Sequence, residues 1–470
     1  MRLSGIRYSV PPINSDVISG PRENETRVAS SPDHIQKLLI DEWKPIYQAC
    51  DINTEKADMF LRTYVNQQNQ LFQFENISEL SIDDFKSYVS VPGDGQPGPN
   101  GIPYSAYRVV PDLSARVLHA TFRQLCSSNS LLDLEEFNRT LVWFAPKGNE
   151  PGETIEAIRN PGNLRTIFGG NSDSKLISGT LAHKLTSPTL TLTPFIQRGF
   201  CRGRQLALNV VDLDIFTRVF NCEADVSDPL LNIGSIPATV LYDFANAFPS
   251  LCHQWLFKIF TVIGIPNHLI VCIRNLYSDI LAFSSGVGTG EFLFKVERGV
   301  KIGCPLSSIL FLLAINPFVY LFQWLSDGPG LSATRVCADD FGSALKELSV
   351  LKIQNSIFKL VSPISGLHLK PSKCVLIISC HHLTPQLIEA IRVWLAAHVP
   401  GFVSIRIESH GKYLGWHVGD SDVFHSFRSP VSKYKKRVVD IVEGAAAVFL
   451  ALQRYNQRAV TVLSLSLIHI

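Results

Sequence analysis

The chain has 470 residues, 46% of them hydrophobic, and its 43 Lys and Arg against 41 Asp and Glu leave a formal charge of +2. That is enough apolar material for a large core shared among two or three subdomains, and the near balance of charge excludes a uniformly basic surface, so any face for a polyanion has to be local. The ten cysteines include no C-x-x-C pair, which argues for reduced thiols in an intracellular protein and against a disulfide framework or zinc site; Cys380-His381-His382 is the nearest approach to a metal cluster.

In chain order, residues 1–90 read as an N-terminal extension, with Pro11-Pro12 and Ser30-Ser31-Pro32 as linker and helical patches after Asp33. The Gly- and Pro-rich run from Val91 to Pro103 reads as an ordered loop or hinge. Arg198, Arg202 and Arg204 form a first basic patch. Pro237 to Tyr242 is an apolar run of strand formers, and Asp243 stands just past its end. After a turn from Phe244 to Ser250, a helical pattern carries Trp255, Leu256, Ile259, Phe260 and Ile263, and Gly264 stops it. Pro266-Asn267 opens a second helix, with Leu269, Ile270, Ile273, Leu276 and Tyr277 on one face. Gly303 and Pro305 set a tight turn before a long apolar helix. Leu306 to Leu325 has the length of a membrane span, but Ser307, Ser308, Asn316, Pro317 and Gln323 interrupt it, so a buried helix is expected, in a protein without a membrane role. Ala333 to Ala338 and Phe341 to Leu345 read as the two strands of a hairpin with Asp339 and Asp340 at its tip. The stretch Arg428 to Arg437, with Lys433, Tyr434, Lys435 and Lys436, suits either a phosphate-tracking groove or a solvated helix face.

Two adjacent acids in a turn repel one another, and burying either unpaired costs several kcal/mol. A hard divalent cation removes that cost. An Asp-Asp surface turn and a turn-forming Asp243 are the plain alternatives. If the strands before Asp243 and around the pair are neighbours in one sheet, three carboxylates converge at its edge, which suits a two-metal phosphoryl-transfer site.

Residues 298–311, R-G-V-K-I-G-C-P-L-S-S-I-L-F, resemble the R-G-x-x-Q-G-C-P-L-S-P-x-L-F block of the reverse transcriptase domain of LINE-type (non-LTR) retrotransposons. Asp243 to Ser250 is similar to that family's strand-end block, and Cys337-Ala338-Asp339-Asp340 to its aromatic-A-D-D hairpin. Further blocks follow in the family's order: Gly98 to Pro103, Asn138 to Lys147, Leu164 to Ala182, Gln197 to Gln205, Gly366 to Lys373 and Lys412 to Gly415.

The resemblance implies an α+β fold, a right-hand polymerase palm of antiparallel sheet plus helices with fingers and a partial thumb. Its expected organisation is an extension over 1–90, mainly fingers over 91–232, palm over 233–420 and the start of a truncated thumb over 421–470. It implies an RNA-directed DNA polymerase acting on an RNA template, a DNA primer and deoxynucleoside triphosphates, inside the cell in nucleus or cytoplasm. Asp243, Asp339 and, in a smaller role, Asp340 would hold two Mg²⁺ ions, with Mn²⁺ able to substitute. Phe248 would lie under the incoming sugar, or be a core Phe. Lys147 and Arg165 would grip the triphosphate, or be surface cations. Gly303 would belong to the nucleotide-binding turn, and Lys373 would protonate pyrophosphate. Tyr413, with Leu414 and Gly415, would support the primer end. The family's Gln is Ile302 here, its aromatic is Cys337, its second strand-end acid is Pro249 and its R-P-I proline is Thr166. These departures define the alternative, a catalytically decayed remnant that only binds RNA or RNA–DNA hybrid.

Overall fold

The computed structural model describes residues 2–10, 25–68, 72, 74, 77–148, 156–224, 228–285, 290–420, 425–444 and 447–462. Pro11-Pro12 and the terminal Leu467 to Ile470 lie outside these residues. The chain is α+β and divides into two compact units. Unit 1 holds residues 1–192, 246–314 and 363–367, and unit 2 holds residues 193–245, 315–362 and 368–470. Each unit draws on several separated stretches of the chain. Among the described residues the strands are β1 (Arg2–Val10), β2 (Glu25–Ala29), β3 (Thr140–Pro146), β4 (Glu156–Arg159), β5 (Leu164–Gly170), β6 (Ala238–Tyr242), β7 (Ile280–Ser284), β8 (Phe292–Val296), β9 (Ser332–Cys337), β10 (Asp340–Leu345), β11 (Val375–Ile377), β12 (Arg406–Glu408), β13 (His410–Tyr413) and β14 (Trp416–Gly419).

Unit 1 contains a sheet of order β2-β1-β4 and another of order β5-β3-β7-β8. The first ninety residues belong to this unit's packing. Ser30-Ser31-Pro32, expected as linker, starts the helix Pro32–Tyr47: Ser31 is its extended N-cap and Pro32 occupies the first turn, where the missing N–H costs nothing. Ile35, Leu39, Trp43 and Tyr47 recur at four-residue spacing and are buried. The Tyr47 ring stacks on Phe294 of β8 at 5.3 Å. The loop before Tyr104 is ordered as expected: Asn100 N–H donates to Asn171 Oδ1 at 3.1 Å, and a Cβ on Gly98 would lie 2.5 Å from the Asn171 nitrogen.

The helix Ser307–Phe322 carries the chain from unit 1 into unit 2. With its continuation to Asp327 it is long and apolar enough to cross a membrane, yet 72% of its most apolar window is buried inside the protein. Leu310 to Ile315 are fully enclosed, so this is a core helix.

Unit 2 is built on a sheet of order β12-β11-β6-β10-β9, with a separate hairpin β13-β14. Central β6 is buried at every position, as a continuous Ala-Thr-Val-Leu-Tyr run demands. Beneath its end Tyr242, Phe244, Phe322, Phe341 and Phe358 form one aromatic cluster, with Tyr242 and Phe358 centred 4.7 Å apart and Phe244 and Phe341 5.6 Å apart. Such edge-on and tilted pairs add to the area they bury and make the strand ends rigid.

Candidate functional site

Strand register brings the expected acids of unit 2 together. In the antiparallel β6–β10 pair Tyr242 faces Phe341, so Asp243 and Asp340 stand one step beyond, at matching ends of adjacent strands. β9 and β10 are joined by a two-residue turn, Ala338-Asp339, whose flanks Cys337 and Asp340 are paired. Ala338 has φ +57°, a left-handed value usually left to Gly. Asp243 is fixed through its main chain: its carbonyl accepts from Lys370 N–H at 2.8 Å, and its N–H donates to Cys374 Sγ at 3.3 Å. Lys373 is exposed in the same loop, its N–H bonded to the Lys370 carbonyl at 2.8 Å.

Negative charge at this edge is felt by its neighbours. Burial, and then the charges of Asp340 and Asp339, push the Cys337 thiol up to about 12. Burial raises the Cys374 thiol to about 11, against a main-chain hydrogen bond with Asp243 that lowers it and a smaller rise from the Asp243 charge. Both sulfurs are therefore protonated, neutral fillers beside the acids. Among the described residues no group of three or more His, Cys, Asp or Glu side chains closes into a metal cage, neither Cys380-His381-His382 nor the three acids of this edge. The donors at the edge are hard carboxylate oxygens, which fit Mg²⁺, an ion usually held by one or two carboxylates while waters and substrate phosphates complete its shell.

Tyr413, expected with Leu414 and Gly415 to support the primer end, packs beneath the acid hairpin. Its ring is buried, and its hydroxyl donates to the carbonyls of Arg335 at 2.9 Å and Asp340 at 3.3 Å, so it braces the acid hairpin from below. The turn that follows, Leu414 at φ +48° and Gly415 at φ +93°, is the exposed tip of β13–β14.

The first basic patch also needs correction. Arg198 is buried and Arg204 half-buried; of the three only Arg202 is exposed. Arg204 donates to the carbonyls of Thr193, Pro194 and Gln197, and Arg198 pairs with Asp212 at 2.8 Å and Asn209 Oδ1 at 2.9 Å. Arg335 on β9 reaches the same Asp212 at 2.7 Å. Sequence alone placed these cations together but could not show that a carboxylate on the helix Ala207–Glu223 would gather them. Burial raises the Asp212 carboxyl, but hydrogen bonds and charge from Arg335 and Arg198 outweigh it and hold the group below the usual carboxylate range. A carboxyl depressed in the folded state contributes stability above its unfolded value of about 3.9, and that contribution is lost as pH falls through the folded value. Asp212→Asn is therefore expected to destabilise by about 3 kcal/mol at pH 7, because it strands a buried guanidinium. The gap in melting temperature between the two proteins should narrow below pH of about 4. A gap independent of pH would remove the ion pair as its source. The second basic stretch lies on the helix His425–Glu443, with Lys433, Lys435, Lys436 and Arg437 exposed.

In unit 1, Lys147 and Arg165 stand near one end of the β3–β5 pair, where Ala145 faces Arg165 and Pro146 faces Leu164. Arg165 is exposed, whereas Lys147 is half-buried and its ammonium reaches the Gly162 carbonyl at 3.3 Å. The fully buried Arg159 shapes this end by donating to the carbonyls of Lys147 and Gly148. Phe248 is half-buried in the short helix Ala247–Ser250 and stacks face to face on Phe311 at 4.3 Å. The 298–311 block folds against that turn: Gly299 N–H donates to the Leu251 carbonyl at 2.7 Å and Val300 N–H to the Phe248 carbonyl at 2.9 Å. Arg298 donates to the carbonyls of Pro45 and Ile46 at the C-terminal end of the first helix, where a cation is favoured. Gly303 has φ +112° and lies against β5, and the neighbouring Ile302 carbonyl accepts from Phe168 N–H at 2.7 Å. The Ile302 main chain thus ties this stretch to β5 independently of its side chain. A cleft of about 610 Å³ opens beside Gly303, lined among others by Tyr104, Trp143, Gly169 and Lys175. Gly169 and Lys175 fall within the Leu164 to Ala182 block, whereas Tyr104 and Trp143 had no role assigned from the sequence.

An α+β unit with acids at the ends of adjacent strands is consistent with the palm of a nucleotidyl-transferring polymerase. The family model described as reverse transcriptase (RNA-dependent DNA polymerase) matches residues 146–418, more than half of the chain, and the chain belongs to that family. Every site residue considered above for nucleotide chemistry lies within the matched stretch. Over 221 residues the chain is 28% identical to the Retrovirus-related Pol polyprotein from type-2 retrotransposable element R2DM of Drosophila melanogaster, a match covering 47% of this chain and 18% of that relative. The domain is thus a reverse transcriptase domain of the LINE (non-LTR) type, and it spans under a fifth of that polyprotein.

Proposed function

We propose that this chain extends a DNA primer along an RNA template by nucleotidyl transfer. The observation that carries the reading is the strand register, with Asp243 and Asp340 at matching ends of neighbouring strands and Asp339 in the adjoining turn. Asp243, Asp339 and Asp340 would hold two Mg²⁺ ions, which when bound lower the pKa of a primer 3′-hydroxyl and neutralise departing pyrophosphate. In this reading Lys147 and Arg165 grip the triphosphate of an incoming deoxynucleotide as charge-assisted donors. Phe248, held flat by Phe311, excludes a 2′-hydroxyl. Gly303 would let the backbone approach the nucleotide, and exposed Lys373 would return a proton to pyrophosphate. The Leu414-Gly415 turn, rather than the Tyr413 ring, supports the primer. Unit 1 takes the fingers role and unit 2 the palm role, with the helix His425–Glu443 beginning the thumb.

Primer extension on poly(rA) with an oligo(dT) primer, Mg²⁺ and dTTP tests the proposal, beside an Asp339→Asn control. Incorporation by the wild-type chain that disappears in the control is the expected result. Equal binding of RNA–DNA hybrid by both proteins with no incorporation by either would replace it with the decayed-remnant alternative.

A further inference from the structure

One buried amide lies directly on the acid-bearing turn. Gln197 is fully enclosed, and a buried amide must satisfy donors and an acceptor together. Its Oε1 accepts from the N–H of Ala338 at 2.9 Å and of Gly199 at 2.8 Å, while its Nε2 faces the Ala338 carbonyl at 3.5 Å. One side chain therefore engages the peptide groups on both sides of Ala338. That residue holds φ +57° without being glycine, a strained conformation that persists only when its surroundings impose it. The segment around Gln197 is itself anchored to β9: Arg198 N–H donates to the Val336 carbonyl and Val336 N–H to the Ile196 carbonyl, both at 2.9 Å. Gly199 permits the close approach, since a Cβ there would lie 2.4 Å from the Ala338 nitrogen. Asn209 adds a bond from Nδ2 to the Val336 carbonyl at 2.9 Å.

We propose that Gln197 is a positioning residue for the acid pair: by bonding both peptide groups of Ala338 it holds the turn in the left-handed form that sets the backbone of Asp339 and Asp340. The inference rests on the polymerase reading above, and it concerns how the acids are held rather than whether they react. Sequence proximity gives no hint of it, because Gln197 and Ala338 are 141 residues apart.

The test uses the full chain as wild type, Gln197→Met, Ala338→Gly and the double variant. Methionine keeps the volume and removes both hydrogen-bonding functions, and glycine adopts the positive φ without help. Four quantities are measured: kcat and KM for dTTP in primer extension, Mn²⁺ binding by calorimetry, and melting temperature. Gln197→Met is expected to lower kcat about 30-fold with KM within about threefold of wild type, and to weaken Mn²⁺ binding about tenfold. The double variant should recover about tenfold of the lost kcat, through restored turn geometry. Wild-type kcat and Mn²⁺ affinity in Gln197→Met would overturn the proposal. So would a loss that tracks a fallen melting temperature and is not rescued by Ala338→Gly. If the wild type incorporates nothing, the polymerase reading fails by itself, and Mn²⁺ binding in Gln197→Met against wild type still decides the role of Gln197.

Discussion

Asp243→Asn is expected to lower nucleotide incorporation by about 10³-fold, roughly 4 kcal/mol of transition-state stabilisation, while melting at or above the wild-type temperature. The two effects separate because the fold holds Asp243 by its main chain, through Lys370 and Cys374, and not by its charge. The strand beneath it is secured by the Tyr242 and Phe244 rings, which the substitution leaves in place. Asparagine keeps the shape, removes one negative charge from an edge that already carries Asp339 and Asp340, and so relieves repulsion when no cation is bound. Primer extension and a thermal melt on the same preparation check both halves. Retained activity would remove Asp243 from the reaction, and a collapse in melting temperature would mean that its carboxylate is structural.

Gly303→Ala should be strongly damaging to unit 1. Gly303 has φ +112°, and an added Cβ would lie 2.5 Å from the Phe168 carbonyl oxygen, a main-chain atom that cannot swing aside. The adjacent bond from Phe168 N–H to the Ile302 carbonyl, at 2.7 Å, ties the same stretch to β5, so relief of the clash breaks a sheet-edge contact. Left-handed strain and overpacking together are expected to cost about 3 kcal/mol or more. Melting of the variant, followed by far-ultraviolet circular dichroism, should fall by about 10 °C, with loss of incorporation because Gly303 also borders the cleft of unit 1. A melting temperature within a degree of wild type would show that the turn tolerates a side chain.

Much of this was legible in the sequence because it is local. Strand formers ending at Asp243, a hairpin carrying Asp339 and Asp340 (its turn one residue earlier, at Ala338-Asp339, than the expected tip), a helix stopped by Gly264 at φ +78° and a Gly-Cys-Pro turn before an apolar helix are each written in a few consecutive residues. Period and turn chemistry depend on neighbours in the chain, so such signals survive without knowledge of the fold. The reverse transcriptase assignment rested on those strings and agrees with the family match over residues 146–418.

Other features depended on which distant segment comes alongside. The Arg198 and Arg204 cluster looked like a surface for phosphates, and only the approach of Asp212, Asn209 and the Thr193 to Gln197 carbonyls turned those two guanidinium groups inward. Tyr413 sat in a motif expected to support the primer end, and a hydroxyl carried beneath β9 and β10 finds main-chain carbonyls there and binds them. Ser31 and Pro32 read as linker until the apolar face of the following helix met β8, after which the same two residues became a helix start. Sequence thus determined the chemistry available, three acids and the turns that carry them. Tertiary structure decided which long polar side chains face outward and which brace the site, because a buried polar group takes whatever partner the packing brings within hydrogen-bond reach.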